Sequence, residues 1–332
     1  MNSVLLLTII VVVFAVLFDV INGFHDTANA IATAISTKAI KMKHAIPLAA
    51  SMNFLGALTF TGVAKTITEG IVNPFELSNG SVVILAALLA GITWNLITWY
   101  LGIPSSSSHA IIGAIAGAAI AASGFTSLNY AGFIKIIEGL ILSPIVAFVL
   151  GYIVYSIFKV IFKKNNLAKT NKRFRVFQIF TAAIQSYSHG TNDAQKTMGI
   201  ITMALMASGQ LSSNEIPLWV QFACAAAMGL GTTIGGWRII KTVGGKIMKI
   251  RPVNGVAADL TSAMIIFGAT FLHFPVSTTH VISSSIMGVG ASHRIKGVKW
   301  NTAEQIVITW VITLPLSAAL SGIIYLLLDL VF

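Results

Sequence analysis

Apolar runs of roughly twenty residues recur along the chain between short polar stretches, and that is the length a helix needs to cross a bilayer. The pattern predicts ten apolar segments, at about 2–38, 44–64, 80–101, 104–121 and 131–158, then at about 174–208, 215–236, 254–272, 275–291 and 303–330. The first segment of each set runs to roughly 35 residues, more than one straight crossing needs at about 1.5 Å per residue. Asn22-Gly23 and His189-Gly190 interrupt these two segments, so each is expected to be a discontinuous helix broken near mid-membrane. The third and fourth segments meet at Gly102-Ile103-Pro104-Ser105 in one set and at His273-Phe274-Pro275-Val276 in the other. Proline has no amide donor and suits a first helical turn, so each junction starts a new helix with free amides. Two re-entrant helical hairpins with tips near the midplane are expected.

The polar interruptions occur in pairs. Asn22-Gly23-Phe24-His25-Asp26-Thr27-Ala28-Asn29-Ala30 is echoed 167 positions later by His189-Gly190-Thr191-Asn192-Asp193-Ala194-Gln195-Lys196-Thr197, with glycine and aspartate in register. Pro104-Ser105-Ser106-Ser107-Ser108-His109 returns 171 positions later as Pro275-Val276-Ser277-Thr278-Thr279-His280. In hydrocarbon an unsatisfied polar group costs several kcal/mol, so repeated polar strings there point to function.

Charge gives the orientation. The chain is 56% hydrophobic and 9% charged, with a formal charge of +11. A nucleic-acid surface would put those bases on a soluble face. Here 18 of the 21 Lys and Arg lie in four short stretches: 38–43, 159–175, 238–251 and 294–299. The positive-inside rule makes these cytoplasmic. Residues 122–130 and 203–214 carry no Lys or Arg, and 66–80 carry two acids and no base, so these read as external. Corresponding loops of the two halves therefore fall on opposite sides, the sign of an inverted repeat. The first 22 residues read as a retained helix with its amino terminus outside. The expected fold is an all-α polytopic membrane protein of two inverted-topology repeats, 1–158 and 176–332, joined by a basic cytoplasmic linker at 159–175.

Asp26 and Asp193 are the leading candidates for function, because a carboxylate inside a bilayer normally faces a partner, a cavity or an ion path. With Asn22, Asn29 and Asn192 they supply the oxygen ligands a hard cation such as sodium prefers, and the same carboxylates could carry a proton. Ser105, Ser106, Ser107 and Ser108, with Ser277, Thr278 and Thr279, put hydroxyls and free amides at helix starts, which suits an anion. Lys196 replaces Asn29 in the repeat and leaves three roles open: anion contact, pairing with Asp193, or snorkelling. His109 and His280 are expected to hold their turns. Glu138 and Asp259, near segment ends, are expected to snorkel or cap, while Asn53, Asn95 and Gln185 are secondary candidates for a cavity wall. The single Cys224 reads as a packing residue and excludes an intrachain disulfide.

The paired strings resemble those of the inorganic phosphate transporter (PiT) family, most closely its bacterial branch. The resemblance rests on Asn22 through Ala30, Ser188 through Lys196, Pro104 through His109 and Pro275 through His280, and it extends over essentially the whole chain. It implies a cation-coupled symporter of inorganic phosphate in the cytoplasmic membrane, with both termini outside, assembling as a homodimer. Sodium is the expected coupling ion and no organic cofactor is implied. Phe24-His25 stands where many relatives have Ala-Asn, so the first half lacks the counterpart of Asn192. The residues alone reach a symporter for a small oxyanion, and only the resemblance supplies phosphate over sulfate. Proton coupling and metal-phosphate transport stay open. A channel would need a continuous pore, an intramembrane hydrolase would need more than four serines and a histidine, and a divalent-metal carrier would use His25, Asp26, His189 and Asp193.

Overall fold

The computed structural model describes residues 3–75 and 79–331. Twelve α-helices account for nearly all of them, and the first six recur in order as the second six. Helix α1 (Ser3–Ser36) corresponds to α7 (Leu167–Ala207), α2 (Met42–Ala57) to α8 (Leu218–Ile234), and α3 (Gly62–Gly70) to α9 (Trp237–Lys241). Likewise α4 (Gly80–Leu101) corresponds to α10 (Pro252–Phe271), α5 (Ser107–Ser123) to α11 (Thr278–His293), and α6 (Tyr130–Ile161) to α12 (Trp300–Leu328). Five helices, α1, α4, α6, α10 and α12, are long and apolar enough to cross a membrane. The chain bends by 70° between α2 and α3 and by 65° between α8 and α9, and each bent pair taken together is also long and apolar enough for a span.

The breaks are not where the glycines of the paired strings suggested. Helix α1 runs without interruption through Asn22-Gly23, and α7 runs through His189-Gly190. These glycines let helices touch. A Cβ on Gly23 would sit 2.6 Å from the Met228 carbonyl oxygen and 2.9 Å from the Thr232 nitrogen of α8. Gly190 presses in the same way on the backbone of Asn53 in α2. The second break falls at Gly235-Gly236 instead, where Gly235 has φ +72°, a left-handed value that costs glycine little.

Both hairpin turns are built around one left-handed residue, Gly102 (φ +68°) after α4 and His273 (φ +61°) after α10. Ser106 and Ser277 then cap the next helices, their hydroxyls accepting from the amides of His109 at 3.1 Å and His280 at 3.3 Å. The tips are buried and meet one another. Ser108 Oγ donates to the Val276 carbonyl at 3.2 Å, and the His109 and His280 rings lie 4.4 Å apart. The two hairpin tips therefore lie against each other inside the protein.

The halves are packed crosswise. Helix α5 lies mainly against α12 and α11 against α6, while α1 packs on α8 and α7 on α2. The hydrophobic core divides in two along α1, with Val11 to Phe24 in one cluster and Ala28 to Ala32 in the other. The polar residues between those clusters form the site.

Candidate functional site

Asp26 faces the two hairpin tips at once. Its Oδ2 accepts from Ser107 of the first tip at 2.5 Å, and its Oδ1 accepts from Thr279 of the second at 3.1 Å. His25 Nδ1 lies 2.6 Å from Oδ1, and its other nitrogen reaches Thr98 on α4 at 3.1 Å. One turn on, Asn29 Nδ2 donates to the Thr279 hydroxyl at 2.9 Å, while Asn29 Oδ1 has no partner among the described residues.

Asp193 repeats this frame with one change. Thr278 of the second tip donates to Oδ2 at 2.8 Å, and His189 Nε2 lies 3.0 Å from the same oxygen. Lys196, at the place of Asn29, pairs with Asp193 Oδ1 and donates to Ser108 of the first tip at 2.6 Å and to the Val276 carbonyl at 2.9 Å. Both side chains are buried. So each half sends one side chain to the other half's tip, a neutral amide in one case and an ammonium in the other. Of the three roles open to Lys196, the pair with Asp193 is the one adopted here.

Asn192 holds the second tip, donating to Thr270 at 3.0 Å and to the Phe274 carbonyl at 3.2 Å and accepting from the Val276 amide at 3.3 Å. His25 has the same place in the first half, where Ser105 donates to Thr98 at 2.8 Å and lies 3.5 Å from the His25 ring. His280 stacks on Trp310 of α12 at 4.0 Å, and the Trp310 indole donates to the Pro104 carbonyl at 3.2 Å. Asn53 links His189, Thr27 and Thr232 at 3.0 to 3.2 Å.

The structure thus gathers Asp26, Asn29, Asp193, Lys196, Ser107, Ser108, Thr278 and Thr279 at the junction of the two tips. Ser106 and Ser277 serve as caps, and Asn22 has no direct bond to this group. Asp259 corrects the expectation of a snorkelling or capping acid. It is 2% exposed, about two turns into α10, and accepts from Thr33 at 2.6 Å and Thr181 at 3.1 Å. Its distance from the end of an apolar segment was misleading because α10 is surrounded by protein where it begins. Asp19, a second acid within the first apolar run, escaped the sequence reading altogether; its seven-residue spacing from Asp26 was the available signal.

A twelve-helix membrane protein with carboxylates, hydroxyls and a lysine gathered where two hairpin tips meet belongs to the class of membrane transporters. The model of the phosphate transporter family matches residues 22–321, and the chain belongs to that family. It is 75% identical, over the whole of both chains, to a Bacillus subtilis (strain 168) protein described as "Probable low-affinity inorganic phosphate transporter". A Rhizobium meliloti (strain 1021) protein of the same description is 44% identical over 96% of this chain and 95% of its own. Among solved structures, "The sodium-dependent phosphate transporter" matches with a TM-score of 0.86 at 25% identity, covering 98% of this chain and all of that one.

Proposed function

We propose that the protein is a sodium-coupled symporter of inorganic phosphate that works by alternating access, with phosphate held between the hairpin tips and sodium at Asp26. One observation carries this reading: the hydroxyls best placed to meet an anion, Ser107 and Thr279, are donating to a carboxylate that has no lysine or arginine partner among the described residues. Sodium beside Asp26 would take over the carboxylate oxygens and free those hydroxyls to turn toward phosphate. Phosphate in turn would offset the charge of the sodium. Each ligand then improves the site for the other, and linkage requires the two effects to be equal. Lys196 and Ser108 supply the other wall of the anion site, with Lys196 moving between Asp193 and phosphate.

The name of the solved relative supports sodium as the partner ion. The opposite charge of corresponding loops and the recurring helix order support two inverted repeats with both termini outside. Residence in the cytoplasmic membrane and assembly as a homodimer complete the proposal. The test is phosphate uptake into proteoliposomes with sodium and proton gradients imposed separately, and calorimetric phosphate titration at several sodium concentrations with choline holding ionic strength. Uptake driven by the sodium gradient, with phosphate affinity rising with sodium, is expected. Uptake driven by a proton gradient alone, with affinity flat in sodium, would make His25 and Asp26 a proton-carrying pair. Equal competition by sulfate would remove the preference for phosphate.

A further inference from the structure

Along α1 the residues Asp19, Asn22, Asp26, Asn29 and Thr33 fall at i, i+3, i+7, i+10 and i+14, which places them on one face of the helix. The central site uses Asp26 and Asn29, and Thr33 donates to Asp259. Asp19 belongs to neither group. It is fully buried, and neither of its carboxylate oxygens has a hydrogen-bond partner among the described residues. No lysine, arginine or histidine pairs with it there. The polar side chains facing it are Thr197 of α7 and Asn22, and the charges in reach are Asp193 and Lys196, which already pair with each other.

Those two neighbours are also unpartnered. Thr197 Oγ1 and Asn22 Oδ1 are buried and make no hydrogen bond among the described residues. Asn95 of α4 adds an amide at the same level. Gly91 faces the Phe18 ring and Thr98 bonds His25, so Asn95 lies between two contacts of α4 with α1, and both its side-chain atoms are unpartnered among the described residues. An ionised carboxylate in such surroundings is expensive unless a counter-charge accompanies it. A proton needs one acceptor. Several unused oxygens from a carboxylate, an amide and a hydroxyl suit a small hard cation better.

We propose that Asp19, Asn22 and Thr197 form a second binding site for a sodium-sized monovalent cation, about 10 Å along α1 from Asp26 toward the amino terminus. The proposal rests on the sodium-coupled reading above and adds a second ion to it, held by residues that do not touch the phosphate site.

The test uses the purified full-length chain. Binding of radioactive sodium is measured without phosphate, and phosphate affinity is then titrated against sodium with choline holding ionic strength. Asp19→Asn should bind one sodium ion fewer, and the sodium dependence of its phosphate affinity should lose about one power of sodium concentration. Thr197→Val should keep the ion count but raise the sodium needed for half-saturation about tenfold. Thr197→Val also serves if Asp19→Asn does not purify as a single species. An unchanged ion count and steepness in Asp19→Asn, or an unchanged sodium curve in Thr197→Val, overturns the site. So does loss of a pH dependence in Asp19→Asn with the sodium curve unaltered, which would mark a proton site. If the unaltered protein's phosphate affinity is flat in sodium, the coupled reading fails, and the phosphate-free ion count still decides for or against Asp19.

Discussion

Asp26 and Asp193 sit at matched positions, each accepting from a tip hydroxyl of its own half, and Asp26 alone also accepts from the other half's tip; their charges are balanced differently. Asp193 carries a buried lysine three residues along its helix, and Asp26 carries an asparagine there. One carboxylate is neutralised by the chain itself. The other is left with hydroxyls and a histidine, and under the proposed function it is the one that takes the external cation. Matched positions need not be electrically equal: a lysine where the other half has an asparagine compensates one carboxylate within the chain and leaves the other without an ammonium.

The comparison predicts its own failures. The largest effect is expected at the uncompensated acid, where Asp26→Asn should lower sodium-driven phosphate uptake about a hundredfold or more, because removing one partner of a buried charge interaction costs about 3–5 kcal/mol. Proteoliposome uptake, normalised to protein eluting as a single species, measures it, and near-normal uptake would mean that Asp26 holds no ion. Next come the two swaps that make the halves alike. Lys196→Asn should leave Asp193 needing a cation, so uptake at low sodium should fall more than about tenfold and recover in part at high sodium. Asn29→Lys should do the reverse, giving Asp26 its own ammonium and flattening the sodium dependence of phosphate binding. A sodium response in Asn29→Lys as steep as in the unaltered chain would argue that position 29 does not set the difference.

A smaller loss is expected from the hydroxyls shared by carboxylate and anion. Ser107→Ala and Thr278→Val should each raise the phosphate concentration for half-maximal uptake, since a hydrogen bond to a charged group is worth about 1.5–3 kcal/mol. If both together leave that concentration unchanged, the hydroxyls serve the helices alone. The smallest effects concern the glycines. Gly23→Ala should lower thermal stability by about 1–3 kcal/mol through the clash with α8, whereas Gly268→Ala, with nothing within 4 Å of its new Cβ, should raise it by about 0.5–1 kcal/mol. A melting curve in detergent distinguishes them, and equal shifts would remove the close-contact account of Gly23.

The same two glycine classes show how far the sequence could be read. Ten apolar segments, the two proline turns and the four paired strings were legible because hydropathy and repetition are local properties. The meaning of Gly23 and Gly190 was not. A glycine that breaks a helix and one that admits a neighbour look alike until the neighbour is known, and here the neighbours are more than a hundred residues away in sequence. For the same reason nothing in the sequence sets Gly235-Gly236, which carries a break, apart from a packing glycine pair. Lys196 was visible as a departure from the repeat, but its choice of Asp193 and Ser108 depends on a tip arriving from the other half. Asp259 was undervalued because no pattern in the chain says whether an acid near a segment end emerges into water or turns inward, whereas Asp19 lies in mid-segment and only its seven-residue spacing from Asp26 marks it.

The crosswise packing of α5 on α12 and α11 on α6 bears on how the molecule comes into being. A ribosome releases α5 long before it has made α12, and domains usually fold as they emerge. The first hairpin, carrying Ser105 to Ser108, therefore waits in the bilayer without its partner until the final helix is synthesised. Loss of that helix through a late stop codon would leave an early hairpin resting mainly on α1.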